Sequence, residues 1–117
     1  MTDKMETGGM GENLAADFLA AKGFRVVARN YRRRHAEIDL IVQRDNWLIF
    51  VEVKTRSSDS YGQPESFVNE HQRRLIYDAA EDYIFNTNWR GHIRFDIVSV
   101  KVGSAPEIVH FEDAITY

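Results

Sequence analysis

Two short segments hold the residues best suited to chemistry, Glu37-Ile38-Asp39 and Glu52-Val53-Lys54. In a β-strand the side chains at i and i+2 point to the same face, so Glu37 is expected to share a face with Asp39, and Glu52 with Lys54. Both segments sit in strongly apolar sequence, beside Leu40-Ile41-Val42 and Leu48-Ile49-Phe50-Val51. Charged side chains are rarely buried without a partner. A hard divalent cation such as Mg²⁺ or Mn²⁺, which takes oxygen ligands, would account for the three carboxylates. Neighbouring strands lie about 4.8 Å apart. In suitable register Asp39 and Glu52 could bridge one ion, with the main-chain carbonyl of Val53 as a third ligand and waters completing the shell. Such an ion activates water and neutralises charge on a scissile phosphate. Lys54 could then orient or deprotonate the water, or stabilise the crowded phosphorus centre. The plainer reading is a buried ion-pair cluster, which is seldom worth its desolvation cost for stability alone.

These residues need strands to carry them, and the apolar pattern supplies the strands. Met10, Leu14, Ala15, Phe18 and Leu19 recur at helical spacing, and Gly23 suits a helix end, which gives a helix over 8–22. Strands are expected at 24–31, 36–43 and 46–55, joined by a basic turn at 32–35 and a tight connection at 44–46, as an antiparallel meander. A polar loop at 57–66 follows. A second helix begins after Asn69, with Gln72 completing a capping box, and its stripe is Leu75, Ile76, Ala79, Ala80, Tyr83 and Ile84. A long strand over 93–102 and a short edge strand over 107–111 close the order α-β-β-β-α-β(-β). No linker, repeat or low-complexity tract divides the 117 residues, so one domain is expected.

Composition sets outer bounds. A hydrophobic content of 44% fits a globular chain. No apolar run reaches the roughly 18 residues of a membrane span, and the N-terminus lacks the apolar stretch of a signal peptide. With no cysteine there is neither a disulfide framework nor a thiolate metal site. A cytoplasmic location without membrane association is the expectation. The four histidines, His35, His71, His92 and His110, show no zinc-ligand spacing. No dinucleotide fingerprint or phosphate loop points to a small-molecule cofactor.

The net charge of −3 is mild, but six basic residues and no acid lie between Lys22 and Arg34. Such a patch can bind phosphates on an acidic protein, although a solvated turn explains it equally well. Arg29, Arg32, Arg33 and Arg34 are the nucleic-acid-binding candidates there. Arg56, Gln72 and Arg73 join them near the carboxylates, and Tyr61 in the polar loop could stack on a base. Glu37 faces solvent, pairs with the nearby arginines or joins the ligands. Asp96 shares a face with Val98 and Val100, and pairing with Lys54 or an arginine is favoured there over metal binding.

Taken together, these stretches resemble the PD-(D/E)XK nuclease superfamily. The chain is most similar to the YraN-type family of bacterial endonuclease-like, Holliday-junction-resolvase-like proteins. The resemblance rests on Gly8 through Glu12 with Ala15 to Leu19, Gly23-Phe24, Arg29-Asn30-Tyr31-Arg32, Glu37 to Ile41, Phe50 to Arg56, Tyr61-Gly62 with Pro64, Arg73-Arg74-Leu75 with Ala79-Ala80, and Phe95 to Val98. It implies an α/β, restriction-endonuclease-like core, with a central four- to five-stranded mixed sheet flanked by helices. It also implies Asp39 and Glu52 as metal ligands, Lys54 as the catalytic lysine, and Glu12 as the extra acidic residue of resolvase-like members. Helical spacing agrees, since Glu12 shares a face with Ala15, Ala16 and Leu19. Resolvase-like relatives act as dimers on a symmetric junction, so a homodimer is implied too. Ile38 replaces the proline of the superfamily name, and Ala36 a usual glycine. His71-Gln72 stands where relatives carry a lysine, and Gln72 can hydrogen-bond a phosphate but holds no charge. The expectation is a Mg²⁺- or Mn²⁺-dependent endonuclease acting on DNA, possibly branched or structured. The alternatives are a nucleic-acid binder of the same fold without catalysis and a partner-binding scaffold.

Overall fold

The computed structural model describes the backbone of residues 3–56 and 68–115, with side chains from residue 9 onward in those ranges. The elements are α1 (Asp3–Ala21), β1 (Arg25–Arg33), β2 (Ala36–Arg44), β3 (Trp47–Arg56), α2 (Glu70–Thr87), β4 (His92–Lys101) and β5 (Glu107–Phe111). The expected polar loop at 57–66 and its Tyr61 lie outside the described residues.

The five strands form one mixed sheet in chain order. β1, β2 and β3 make the expected antiparallel meander. β4 runs parallel to β3 from Trp47↔His92 to Arg56↔Lys101, and β5 pairs antiparallel with β4 at the edge. A parallel neighbour requires a crossover connection, and α2 is that crossover. The fold is therefore α/β, with a five-stranded mixed sheet flanked by two helices.

Each helix covers one face. Ala15, Ala16 and Leu19 of α1 pack with Phe24, Leu40, Val42, Ile49, Val51, Val53, Val98 and Val100. Ile76, Ala79 and Ala80 of α2 pack with Ala36, Ile38, Ile41, Leu48, Phe50 and Ile97 on the opposite face. β3 alternates strictly between these layers, which fixes Glu52 and Lys54 on the α2 side.

The local signals behave as physical chemistry expects. Gly23 at φ +93° ends α1 in the left-handed region, where a side chain is unfavourable. Asn69 caps α2 through a complete capping box with Gln72, and Asn88 closes it at φ 55°. Three expectations shift. α1 starts at Asp3 instead of residue 8. Met10, placed on the apolar stripe, is exposed. The neighbouring Gly11 is the residue that touches the sheet, where a Cβ would collide with the side chain of Thr55. β1 runs two residues beyond Tyr31, because Arg32 and Arg33 pair with Glu37 and Ala36, so the basic turn shrinks to Arg34-His35.

β5 is held by a polar cluster in the α1 layer. Asp96 is fully buried and receives Nε and Nη2 of Arg94 at 2.8 and 2.9 Å, Nε2 of His110 at 2.7 Å and the Asp113 N–H at 2.9 Å. Of the two partners expected for it, the arginine is borne out and Lys54 is not, since Lys54 belongs to the other face. Lys22 Nζ lies 2.8 Å from His110 Nδ1. An ammonium can only donate, so Nδ1 accepts and Nε2–H donates to Asp96. Among the described residues no helix is long and apolar enough to cross a membrane.

Candidate functional site

The candidate site begins where β2 leaves β3. Their ladder runs from Arg44↔Trp47 to Leu40↔Val51 and stops, so the next opposed pair, Asp39 and Glu52, has no ladder pairing. The Val53 N–H donates instead to Oδ2 of Asp39 at 2.8 Å. The parity of β2 also breaks at this step. Ile38 packs in the α2 layer and Leu40 in the α1 layer, although residues two apart in a regular strand share a face.

The irregularity has a partner in β1. Arg29 pairs with Leu40 and Tyr31 with Ile38, which leaves Asn30 opposite Asp39 outside the ladder. Asn30 has φ 51°, the left-handed conformation that asparagine tolerates better than most residues. Asn30 partly offsets the upward shift of the Glu12 carboxyl.

The Asp39 and Glu52 carboxyls sit within hydrogen-bond reach of each other. Burial, then the charge of Asp39, pushes the Glu52 carboxyl up to about 9, and Lys54 offsets part of this. Burial likewise raises Asp39, against the lowering effect of Glu52, the Val53 N–H and Lys54. Glu12 is raised by burial and then by Asp39. Two adjacent carboxyls that resist simultaneous ionisation are short of positive charge, and their hard oxygen atoms suit Mg²⁺ or Mn²⁺. The donor set fits such an ion. Among the described residues no three Asp, Glu or His side chains converge closely enough to hold one by themselves. Glu12 lies in the field of Asp39, and waters and a main-chain carbonyl such as that of Val53 would complete a shell.

A cleft of about 200 Å³ opens on the carboxyls, lined by His35, Glu37, Asp39, Glu52, Gln72, Leu75 and Ile76. Gln72 Oε1 takes the Asn69 N–H at 3.3 Å, which leaves the side-chain NH₂ as its donor at the cleft wall. Glu37 pairs with Arg32 at 2.7 Å, the arginine pairing foreseen for it. A second cavity of about 390 Å³, lined by Arg32, Arg34, His35, Ala36 and Glu37, shares His35 and Glu37 with the cleft.

The structure thus gathers Asp39, Glu52, Lys54, Glu12, Arg32, Arg34 and Gln72 around one region. Arg29 lies beside Glu12, with its Nη2 donating to Asn13 at 2.6 Å. Arg33 points elsewhere and pairs with Asp82 of α2 at 2.8 Å. Arg73 lies half-buried in the first turn of α2, and Arg56 ends β3 with Nη1 on the Thr55 carbonyl. The sequence reading missed three contributors. His35 was set aside with the scattered histidines, although it adjoins the basic turn. Asn30 carried a usable signal, because asparagine is depleted in strands. Gly11 carried little, since a helical glycine reveals no close contact from sequence.

A model of the uncharacterised protein family UPF0102 matches residues 11–100. This chain belongs to the UPF0102 family. The UPF0102 protein of Flavobacterium psychrophilum is 40% identical over 115 residues, covering 97% of both chains. That of Rhodococcus jostii is 38% identical over 118 residues, covering 97% of this chain and 99% of its own. That of Solibacter usitatus is 47% identical over 105 residues, covering 86% and 79%. The family is bacterial in these examples, and the stretch matched by its model contains Glu12, Asn30, Asp39, Glu52 and Lys54.

Proposed function

We propose that this UPF0102 chain is a metal-dependent endonuclease of the PD-(D/E)XK type, acting on DNA, including branched or structured DNA, by phosphodiester hydrolysis. The observation that carries the reading is the Asp39–Glu52 carboxyl pair at the split between β2 and β3, with Lys54 on the Glu52 face. A bound Mg²⁺ or Mn²⁺ would supply Lewis acidity and charge neutralisation at the phosphate. The chain's own residues do the rest. Asp39 and Glu52 bring their oxygen atoms together beside an apolar wall formed by Leu75 and Ile76. Lys54 offsets the negative field of the pair and would orient a water or take its proton. Gln72 offers an uncharged donor to a phosphate oxygen, and Arg32 and Arg34 line the adjoining cavity where a neighbouring phosphate would sit.

One observation favours a second reading, nucleic-acid binding without cleavage. The cleft position where similar nucleases carry a lysine is occupied by Gln72, and half of its amide is committed to the helix cap. A cleavage assay with Mg²⁺ and Mn²⁺ over duplex, single-stranded, flap and four-way-junction DNA separates the two. Cutting that disappears in Asp39→Ala and Glu52→Ala supports the nuclease. Salt-sensitive binding without cutting supports the binder.

A further inference from the structure

We propose that the α2 side of β3 and β4 beyond the carboxyl pair, where Lys54, Arg56, Ser99 and Lys101 stand side by side, is a phosphate-binding surface that carries the DNA strand away from the candidate site. The inference rests on the nucleic-acid reading above and deepens it, because it adds Ser99 and Lys101 and gives the strand a path.

The surface follows from register. In the parallel pair Lys54 stands beside Ser99 and Arg56 beside Lys101. Their layer is set by Glu52, whose partner Ile97 packs in the α2 core. Residues two apart share a face, so all four belong to that side. Neighbouring strands lie about 4.8 Å apart and residues i and i+2 about 6.6 Å, so the four side chains start from one compact block. The Val102 N–H donates to the Arg56 carbonyl at 2.8 Å and holds the two strand ends together. Three cations and a hydroxyl in such a block suit backbone phosphates, which groups of this kind grip without reading sequence. On the same face of β5, Glu107 stands opposite Lys101 and tempers the charge there.

Two further observations give the surface access and direction. α2 lies mainly over β2 and β1, and its core takes in Ile97 and Phe111 but not Ser99, Lys101 or Val109. Val109, the partner of Ser99 on β5, is 47% exposed and belongs to neither core cluster, so this face is accessible at β5. The basic hairpin lies at the same end of the sheet, because β2 starts there and runs antiparallel to β3. In the order β1-β2-β3-β4-β5 the Asp39–Glu52 pair falls between the hairpin and the block. A DNA strand laid across this end, at right angles to the β-strands, meets Arg34, then the carboxyl pair at the split, then Lys54, Ser99 and Lys101. The scissile phosphate is thereby held from both sides, which is what positioning for in-line attack requires.

The test is fluorescence-anisotropy titration of a labelled four-way junction and of its duplex arm, in Ca²⁺ and over a range of salt. Lys101→Gln is expected to weaken binding and lower the salt slope by about one, and Lys101→Arg to restore both. Ser99→Ala removes an uncharged donor and should weaken binding at an unchanged slope. Glu107→Gln lifts the opposing charge and should tighten binding, whereas a purely structural pairing with Lys101 would give no gain. Wild-type affinity and slope in Lys101→Gln, or no gain in Glu107→Gln, overturns the proposal. A photo-crosslinking residue, p-benzoylphenylalanine, placed at Val109 should capture the DNA, and the same residue at Phe85 on α2 should not. Capture at Phe85 without capture at Val109 also overturns it, whatever the folding of the charge variants. If wild type binds DNA and Arg34→Ala lowers the slope while Lys101→Gln does not, only this surface falls. If wild type binds neither DNA, the nucleic-acid reading falls and this surface with it.

Discussion

The main-chain N–H of Val53 donates to Oδ2 of Asp39 at 2.8 Å, in place of the ladder bond that β2 no longer provides. One carboxylate oxygen thus does structural work and ties Asp39 against β3 beside Glu52. The tie makes two kinds of substitution separable. Asp39→Ala leaves the Val53 N–H without its acceptor, a loss worth about 1–3 kcal/mol. Asp39→Asn keeps an oxygen acceptor and removes the charge that burdens Glu52. In metal-free urea denaturation Asp39→Asn is expected to be clearly more stable than Asp39→Ala. Equal stability would show that the tie contributes nothing.

Two linkages of opposite sign set the pH dependence of the metal-free protein. The Glu52 carboxyl titrates near 9 when folded, against about 4.3 in an unfolded chain. The unfolded state therefore gives up its proton first, and stability declines as pH rises between those values. Burial would raise Asp96, but its bonds from His110, Arg94 and the Asp113 N–H outweigh burial and hold it below its ordinary value of 3.8. Its contribution is present above the unfolded value and is lost as pH falls through the lowered folded one. Thermal denaturation in EDTA should show greatest stability in mild acid, near pH 5 by these reference values, with a fall toward pH 8.5 that Glu52→Gln flattens. A rising profile between pH 5 and 8.5 would contradict it.

The contact of Gly11 with Thr55 predicts a paired substitution effect. Gly11→Ala brings a better helix former but collides with the Thr55 side chain, and overpacking of this kind costs about 1–3 kcal/mol. Thr55→Ala removes the two nearest atoms and leaves Cβ at 3.0 Å, so the double variant should recover part of the loss. Additive destabilisation in a double-mutant cycle would mean that α1 does not sit on β3 as described.

The basic hairpin divides into two roles. Arg33 is engaged by Asp82, whereas Arg34 is exposed at φ 57°, with no ion-pair partner among the described residues. In DNA-binding titrations over a range of salt, Arg34→Ala should weaken affinity and reduce the salt slope by about one, the signature of a lost phosphate contact. Arg33→Ala should leave the slope unchanged and lower stability slightly. The reverse pattern would reassign the two residues.

Much of this architecture was legible from sequence because it is local. The Asn69–Gln72 box, the Gly23 stop, the meander and the Glu52–Lys54 face all follow from periods and caps within a few residues. The Arg94–Asp96 pair was equally local, since i and i+2 share a strand face. His110 came to Asp96 from β5 through tertiary pairing, which no local pattern encodes. The layer switch at Asp39 was illegible for a related reason. It depends on one left-handed residue in the neighbouring strand, and a strict two-residue period cannot represent it. That switch sets how Asp39 meets Glu52, so the candidate ligands were readable and their arrangement was not.

The most direct test of the central claim is calorimetric titration of Mn²⁺ into the wild-type protein, Asp39→Ala and Glu52→Ala, each checked for folding. The account predicts a saturable site in the wild type that both substitutions abolish. An absence of binding by the folded wild type, or undiminished binding by either variant, would contradict it.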